Sequence, residues 1–155
     1  MDEKSILVLG VGNFLLSDEG VGIHVAQQLQ KMPLASHVEV LDGGTGGFEL
    51  ITHFHGRKKV IIIDAVKTDD KPGTVFRFTP DDMAQLQQKA FSVHQFSLHE
   101  LFYFVRQMKP RPEVVVYGIV PLETKLFSTE LSKVVNSGVQ KMLPSLLEEI
   151  NRDSA

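Results

Sequence analysis

At 155 residues with a net charge of −3, the chain fits one globular domain spanning 1–155, and its lack of cysteine rules out disulfide scaffolds, thiolate metal sites and cysteine nucleophiles. Hydrophobic content of 43% against 23% charged residues is that of a soluble globular protein, and no apolar run approaches the roughly 18 residues of a membrane span. Dispersed Lys and Arg leave no basic footprint for nucleic acid, so any chemistry must come from carboxylates, histidines, hydroxyls or backbone.

The opening Met-Asp-Glu-Lys-Ser is acidic and leads into a short apolar run, unlike the basic, then long apolar, start of a secretory signal; a cytoplasmic protein is expected. Ser5 to Leu9 reads as a buried parallel strand closed by Gly10. Val21, Val25 and Leu29 then recur at helical spacing, which predicts a helix over 18–31, with Ser17 or Asp18 as its N-cap and Pro33 beyond its end. Val38 to Leu41 is a second strand, followed by the glycine-rich loop 42–47 and a helical stretch from Phe48. Val60 to Ile63 is the strongest strand signal, ended by Asp64, and 74–78 reads as a fourth strand after the turn Lys71-Pro72-Gly73. An amphipathic helix over 97–108, a strand over 114–120 and a long final helix over 128–151 complete the chain. Strands alternating with helices of this length predict a three-layer α/β/α sandwich around a mostly parallel, five-stranded sheet.

In open α/β sheets the ligand sits beyond the carboxyl ends of the strands. Reading the residues at those ends collects Asp18 and Glu19 after the first strand, Asp42 after the second and Asp64 after the third. Acids in such places often serve as helix caps, and Asp18 fits that role best. Asp64 fits it least, because it follows a β-branched run directly. A dinucleotide fingerprint would need a glycine at position 15, where this chain has Leu15, and a phosphate at the helix start would face Asp18 and Glu19. Asp42, in the place of a ribose-binding acid, is the one feature favouring a nucleotide.

His94, in Ser92-Val93-His94-Gln95, stands in a polar link where an imidazole can meet the same rim. Two carboxylates and one imidazole can hold a divalent ion with positions left open, although Glu19, Asp64 and His94 come from three distant segments and no local spacing links them. His53 and His55 suit a helix C-terminus, His99 a surface, and His24 and His37 carry no signal.

Taken in order, Gly10-Val11-Gly12-Asn13, Ser17-Asp18-Glu19-Gly20, Leu41-Asp42-Gly43-Gly44-Thr45, Ile63-Asp64-Ala65, Ser92-Val93-His94-Gln95 and Gly118-Ile119-Val120-Pro121 resemble the hydrogenase maturation endopeptidases. The resemblance implies the same sandwich fold, with one strand able to run antiparallel. It implies a cytoplasmic, aspartyl-type endopeptidase that removes the C-terminal extension of the nickel-iron hydrogenase large-subunit precursor once nickel is inserted. By the same resemblance Glu19, Asp64 and His94 are the metal-contacting residues, and Asp42 is a further essential acid. No cofactor of the enzyme's own is implied: the nickel belongs to the substrate, although a divalent metal can occupy the site in vitro. Asp42, Glu19 or Asp64 would activate water, and amides of the Gly43-Gly44 loop would steady the oxyanion. No nucleic acid or membrane partner is expected. The competing readings are a peptidase with its own zinc, a nucleotide-binding Rossmann-type protein and a non-catalytic chaperone of the precursor.

Overall fold

The computed structural model describes residues 4–82, 92–93 and 98–152. His94 and Ser97 lie outside the described residues. The strands are β1 (Ile6–Val11), β2 (Val38–Gly44), β3 (Lys59–Lys67), β4 (Val75–Phe78), β5 (Ser92–Val93) and β6 (Glu113–Ile119), and the α-helices are α1 (Val21–Gln30), α2 (Leu98–Gln107) and α3 (Lys133–Asn151). The main sheet has the order β2-β1-β3-β6-β4. β1 pairs in parallel with β2 and β3, and β3 with β6, while the edge strand β4 runs antiparallel to β6. The two-residue β5 adds a short antiparallel arm to the far end of β3, Val66 opposite Val93 and Lys67 opposite Ser92. The predicted five-stranded, mostly parallel sheet is therefore present, and its antiparallel member is β4.

Alternation along each strand divides the core between two faces. Ile6, Val8, Ile61, Ile63, Val115 and Tyr117 join residues of α1 and α3 in one cluster. Leu7, Leu9, Val60, Ile62, Val114 and Val116 meet Leu50, Phe54 and three residues of α2 in the other. Both faces are covered, as the unbroken apolar runs of β1 and β3 require.

Several boundaries differ from the sequence expectation, each for a local reason. Residues 17–20 form a 3-10 turn ahead of α1, whose N-cap is Gly20 and has no side-chain cap. The stretch Gly47–Phe54 is 3-10 rather than α-helical. β3 does not stop at Asp64 but continues to Lys67, because β6 and β5 extend its pairing. α3 begins only at Lys133, where Ser132 caps it by accepting from the Val135 amide, and it continues through Pro144. Residues 128–130 are instead bonded to the loop after β1.

Candidate active site

The carboxyl ends of β1, β2 and β3 meet at one rim, and glycines make that meeting close. A Cβ on Gly10 would lie 2.2 Å from the Gly22 carbonyl oxygen, and one on Gly22 would lie 2.2 Å from that of Ile63. α1 thus rests backbone-to-backbone on β1 and β3, which is the packing role that a dinucleotide fingerprint assigns to its last glycine. Here that role falls to Gly22, seven residues beyond Leu15. Gly12, at φ +142°, turns the chain out of β1, and a Cβ there would lie 2.1 Å from the Glu19 carbonyl oxygen. The loop is knotted on itself by bonds from Asn13 N to Glu19 O (3.1 Å) and from Glu19 N to Leu16 O (3.1 Å). Glu19 is thereby fixed beside Gly12, whose missing Cβ would stand 3.7 Å from Asp64 Oδ1.

Asp64 is only 1% exposed, in β3 and in register with Gly118 of β6. Its Oδ1 accepts from the Ala65 amide at 2.8 Å, while its Oδ2 is buried with no hydrogen-bond partner among the described residues. Burial raises its pKa well above the usual carboxylate value, the Ala65 amide opposes this, and the nearby Glu19 charge adds to it. Glu19 is also buried, with the Lys67 ammonium 3.8 Å from its Oε1. Sequence reasoning brought these two acids to one rim, and the structure joins them. It differs in placing Asp64 inside the strand, sheltered by the extension of β3, rather than emerging beyond it.

Asp42 lies in β2, exposed, with its Oδ1 accepting from the Gly44 amide at 3.0 Å. Gly10 of β1 is flanked by Asp42 on one side and Ile63 on the other, so Asp42 and Asp64 stand two strand spacings apart, roughly 10 Å. The bond from Gly12 N to Gly44 O (3.0 Å) ties the two loops together. One expected feature changes: the Gly44 amide is already engaged by Asp42 and is not directed outward as an oxyanion donor.

Asp18 is a correction to the sequence reading. It caps no helix, and both oxygens of its carboxylate are engaged. It is wholly buried, with Oδ2 accepting from the amides of Leu122 (2.9 Å) and Glu123 (2.9 Å) and the Ser132 hydroxyl (2.8 Å), and Oδ1 accepting from the Ser132 amide (2.8 Å). Ser17 is buried at φ +51°, and its hydroxyl donates to the Glu130 carbonyl at 2.9 Å, so it is neither a cap nor a poised nucleophile. The clue in the sequence was Ser132, which caps α3 while its own amide and hydroxyl both donate to Asp18.

Among the described residues no three His, Asp or Glu side chains form a metal-holding group. His94 is not among them, and Val93, which precedes it in the chain, pairs with Val66, two residues past Asp64. His24 stacks on Phe14 with ring centroids 5.0 Å apart; burial lowers its pKa despite the Thr129 backbone and the Asp18 charge. His53 is exposed in the last turn of the 3-10 stretch, as expected.

The chain matches the HycI model, described as hydrogenase maturation protease, over residues 23–149. It is 34% identical to the hydrogenase 2 maturation protease of Escherichia coli over 149 residues, covering 92% of this chain and 91% of that protein. Its fold is similar to that of the hydrogenase maturating endopeptidase HybD from Escherichia coli, with a TM-score of 0.82 at 31% identity over 97% of this chain and 93% of that one. It is also similar to the [NiFe] hydrogenase maturation protease HybD from Thermococcus kodakarensis, with a TM-score of 0.75 at 28% identity over 94% and 98% of the two chains. With the two joined acids at the strand ends and these likenesses along nearly its whole length, the chain belongs to the hydrogenase maturation protease family and is a hydrolase, an endopeptidase, of that family.

Proposed function

We propose that this enzyme removes the C-terminal extension of the nickel-iron hydrogenase large-subunit precursor in the cytoplasm, and that Glu19, Asp64 and His94 read the nickel already held by that substrate. The observation that carries the reading is the orphaned Asp64 Oδ2 beside Glu19. Among the described residues that buried oxygen has no positive partner, and a second acid stands nearby. A cation delivered by the substrate would supply one, favouring the ionised form that burial disfavours. Lys67, 3.8 Å from Glu19 and partly exposed, offers that acid a weak alternative partner while the site waits.

In the hydrolytic step the water oxygen adds to the scissile carbonyl carbon while a carboxylate takes the water proton. Collapse of the tetrahedral adduct breaks the C–N bond, and that proton passes to the leaving amine. We assign the proton transfer to Asp42, which is exposed on β2 and accepts from the Gly44 amide, and leave Glu19 and Asp64 to the metal. Tying cleavage to metal contact makes processing conditional on nickel insertion.

The test is to mix the enzyme with nickel-loaded and nickel-free precursor and follow the mass of the large subunit. Shortening of the loaded form alone is expected. Equal shortening of both would overturn nickel reading, and inhibition by chelators on a metal-free model peptide would indicate a peptidase with its own metal instead.

A further inference from the structure

The loop after β1 and the segment 121–128 are joined into a single ledge beside the acids. Ser17 N donates to Ser128 O (2.8 Å), Ser128 N to Leu15 O (2.9 Å) and Asp18 N to Glu123 O (3.0 Å), and the Asp18 carboxylate takes the Leu122 and Glu123 amides from below. Glu123 Oε2 accepts from the amides of Lys125 (2.8 Å) and Leu126 (3.0 Å), which shapes the tip of the segment. This ledge carries Leu15 at 57% exposure, Leu122 at 61%, Leu126 at 59% and Phe127 at 83%. Four exposed apolar side chains on two segments bonded to each other, with so heavily braced a backbone, suit an interaction surface. The bracing also includes the left-handed Ser17, a conformation that costs a serine of order 1 kcal/mol and persists only where its surroundings hold it.

We infer that this ledge is a substrate-binding surface that determines specificity: Leu126 and Phe127, with Leu15 and Leu122, hold an apolar segment of the precursor polypeptide while its metal centre meets Glu19 and Asp64. The inference rests on the reading of the substrate above. The occupant follows from the neighbourhood. The ledge adjoins Glu19 through four residues of one loop, so whatever enters an endopeptidase site here is a polypeptide lying against both. The border of the ledge carries both signs, Glu123 and Glu130 beside Lys125, so a second copy of this chain is the alternative that sedimentation tests. An apolar segment next to a cation suits a surface of exposed Leu and Phe next to buried acids.

The experiment compares wild-type enzyme with Phe127→Ser, Leu126→Ser and Phe127→Leu, and with Tyr103→Ser as a control on α2, whose ring is also exposed. Steady-state cleavage of nickel-loaded precursor is measured, together with sedimentation of the enzyme alone. Phe127→Ser and Leu126→Ser are expected to raise KM about tenfold with kcat within about twofold, because uniform binding is removed while the chemistry is untouched. Phe127→Leu is expected to restore most of the affinity, and Tyr103→Ser to change nothing. Unchanged KM in both serine variants overturns the inference while leaving the proposed function intact. So does an equal rise for Tyr103→Ser, or a wild-type dimer that Phe127→Ser turns to monomer without a change in KM. Wild-type enzyme inert toward loaded precursor overturns the functional reading and this inference with it.

Discussion

Two buried acids sit toward opposite ends of the same strand layer and behave in opposite ways. Lys59 opens β3, and its ammonium meets Glu149 of α3. Glu149 is fully buried and also accepts from Arg77 Nε (2.6 Å) and the Tyr117 hydroxyl (3.0 Å), with Arg152 at 3.5 Å. Burial works to raise its pKa, but the hydrogen bonds from Arg77, Lys59 and Tyr117 outweigh it and hold the carboxylate at about 2. The same arrangement pushes Tyr117 up to about 12, through burial first and then its hydrogen bond to Glu149 and that group's charge. Five residues further along β3, Asp64 is buried almost as completely, yet its Oδ2 has no partner among the described residues and its pKa goes up. Burial alone therefore does not set the ionisation of a carboxyl group. Satisfaction does: donors converge on Glu149, whereas among the described residues Asp64 keeps an oxygen that meets none.

The comparison can be broken by neutralising each acid in turn. Asp64→Asn is expected to lower processing of nickel-loaded precursor by about 100-fold, because a neutral amide replaces the carboxylate that meets the nickel. Its thermal midpoint at pH 7 should stay equal to or above wild type, since an unfavourable buried charge has gone; a clear loss of stability would show that Asp64 holds the fold together after all. Glu149→Gln is expected to do the reverse. It removes the buried anion that Lys59 and Arg77 share, and should cost about 3 kcal/mol in urea unfolding. Activity per folded molecule should be unchanged.

The smallest effect concerns pH. Glu149 has a folded pKa below its ordinary 4.5, so its stabilisation is present above pH 4.5 and is lost as pH falls toward about 2. Asp64 has a folded pKa above its ordinary 3.8, so its contribution is present below 3.8 and is lost as pH rises through the raised value. Unfolding free energy measured against pH should fall on the acid side by on the order of 1–2 kcal/mol, reduced by the solvent that reaches Arg77 and Arg152. Glu149→Gln should flatten the acid limb only, and Asp64→Asn the higher-pH limb only. A variant that flattened both would mean the two ends of the sheet are coupled.

Much of the architecture was legible from local patterns. Ile6 to Leu9 and Val60 to Ile63 are unbroken apolar runs, so they had to be central strands, and the rule that ligands gather beyond strand ends drew out Glu19, Asp42 and Asp64 before any coordinates. The Lys59–Glu149 pair was invisible, because its members are 90 residues apart and each reads alone as an ordinary surface charge. Asp18 was misread for a related reason. Next to a helix start an aspartate has the chemistry of a cap, and its true partners, Leu122, Glu123 and Ser132, lie more than 100 residues away.

What the sequence by itself determined, then, is what depends on neighbours in the chain: the period of each element, the glycine turn at Gly12, and the acids at the strand ends. What only the tertiary structure decided is which acids are satisfied. Hydrogen-bond partners arrive from other elements, so a buried carboxyl group is satisfied where donors converge on it and keeps an unpartnered oxygen where, among the described residues, they do not. Asp18 and Glu149 are of the first kind, and Asp64 is of the second.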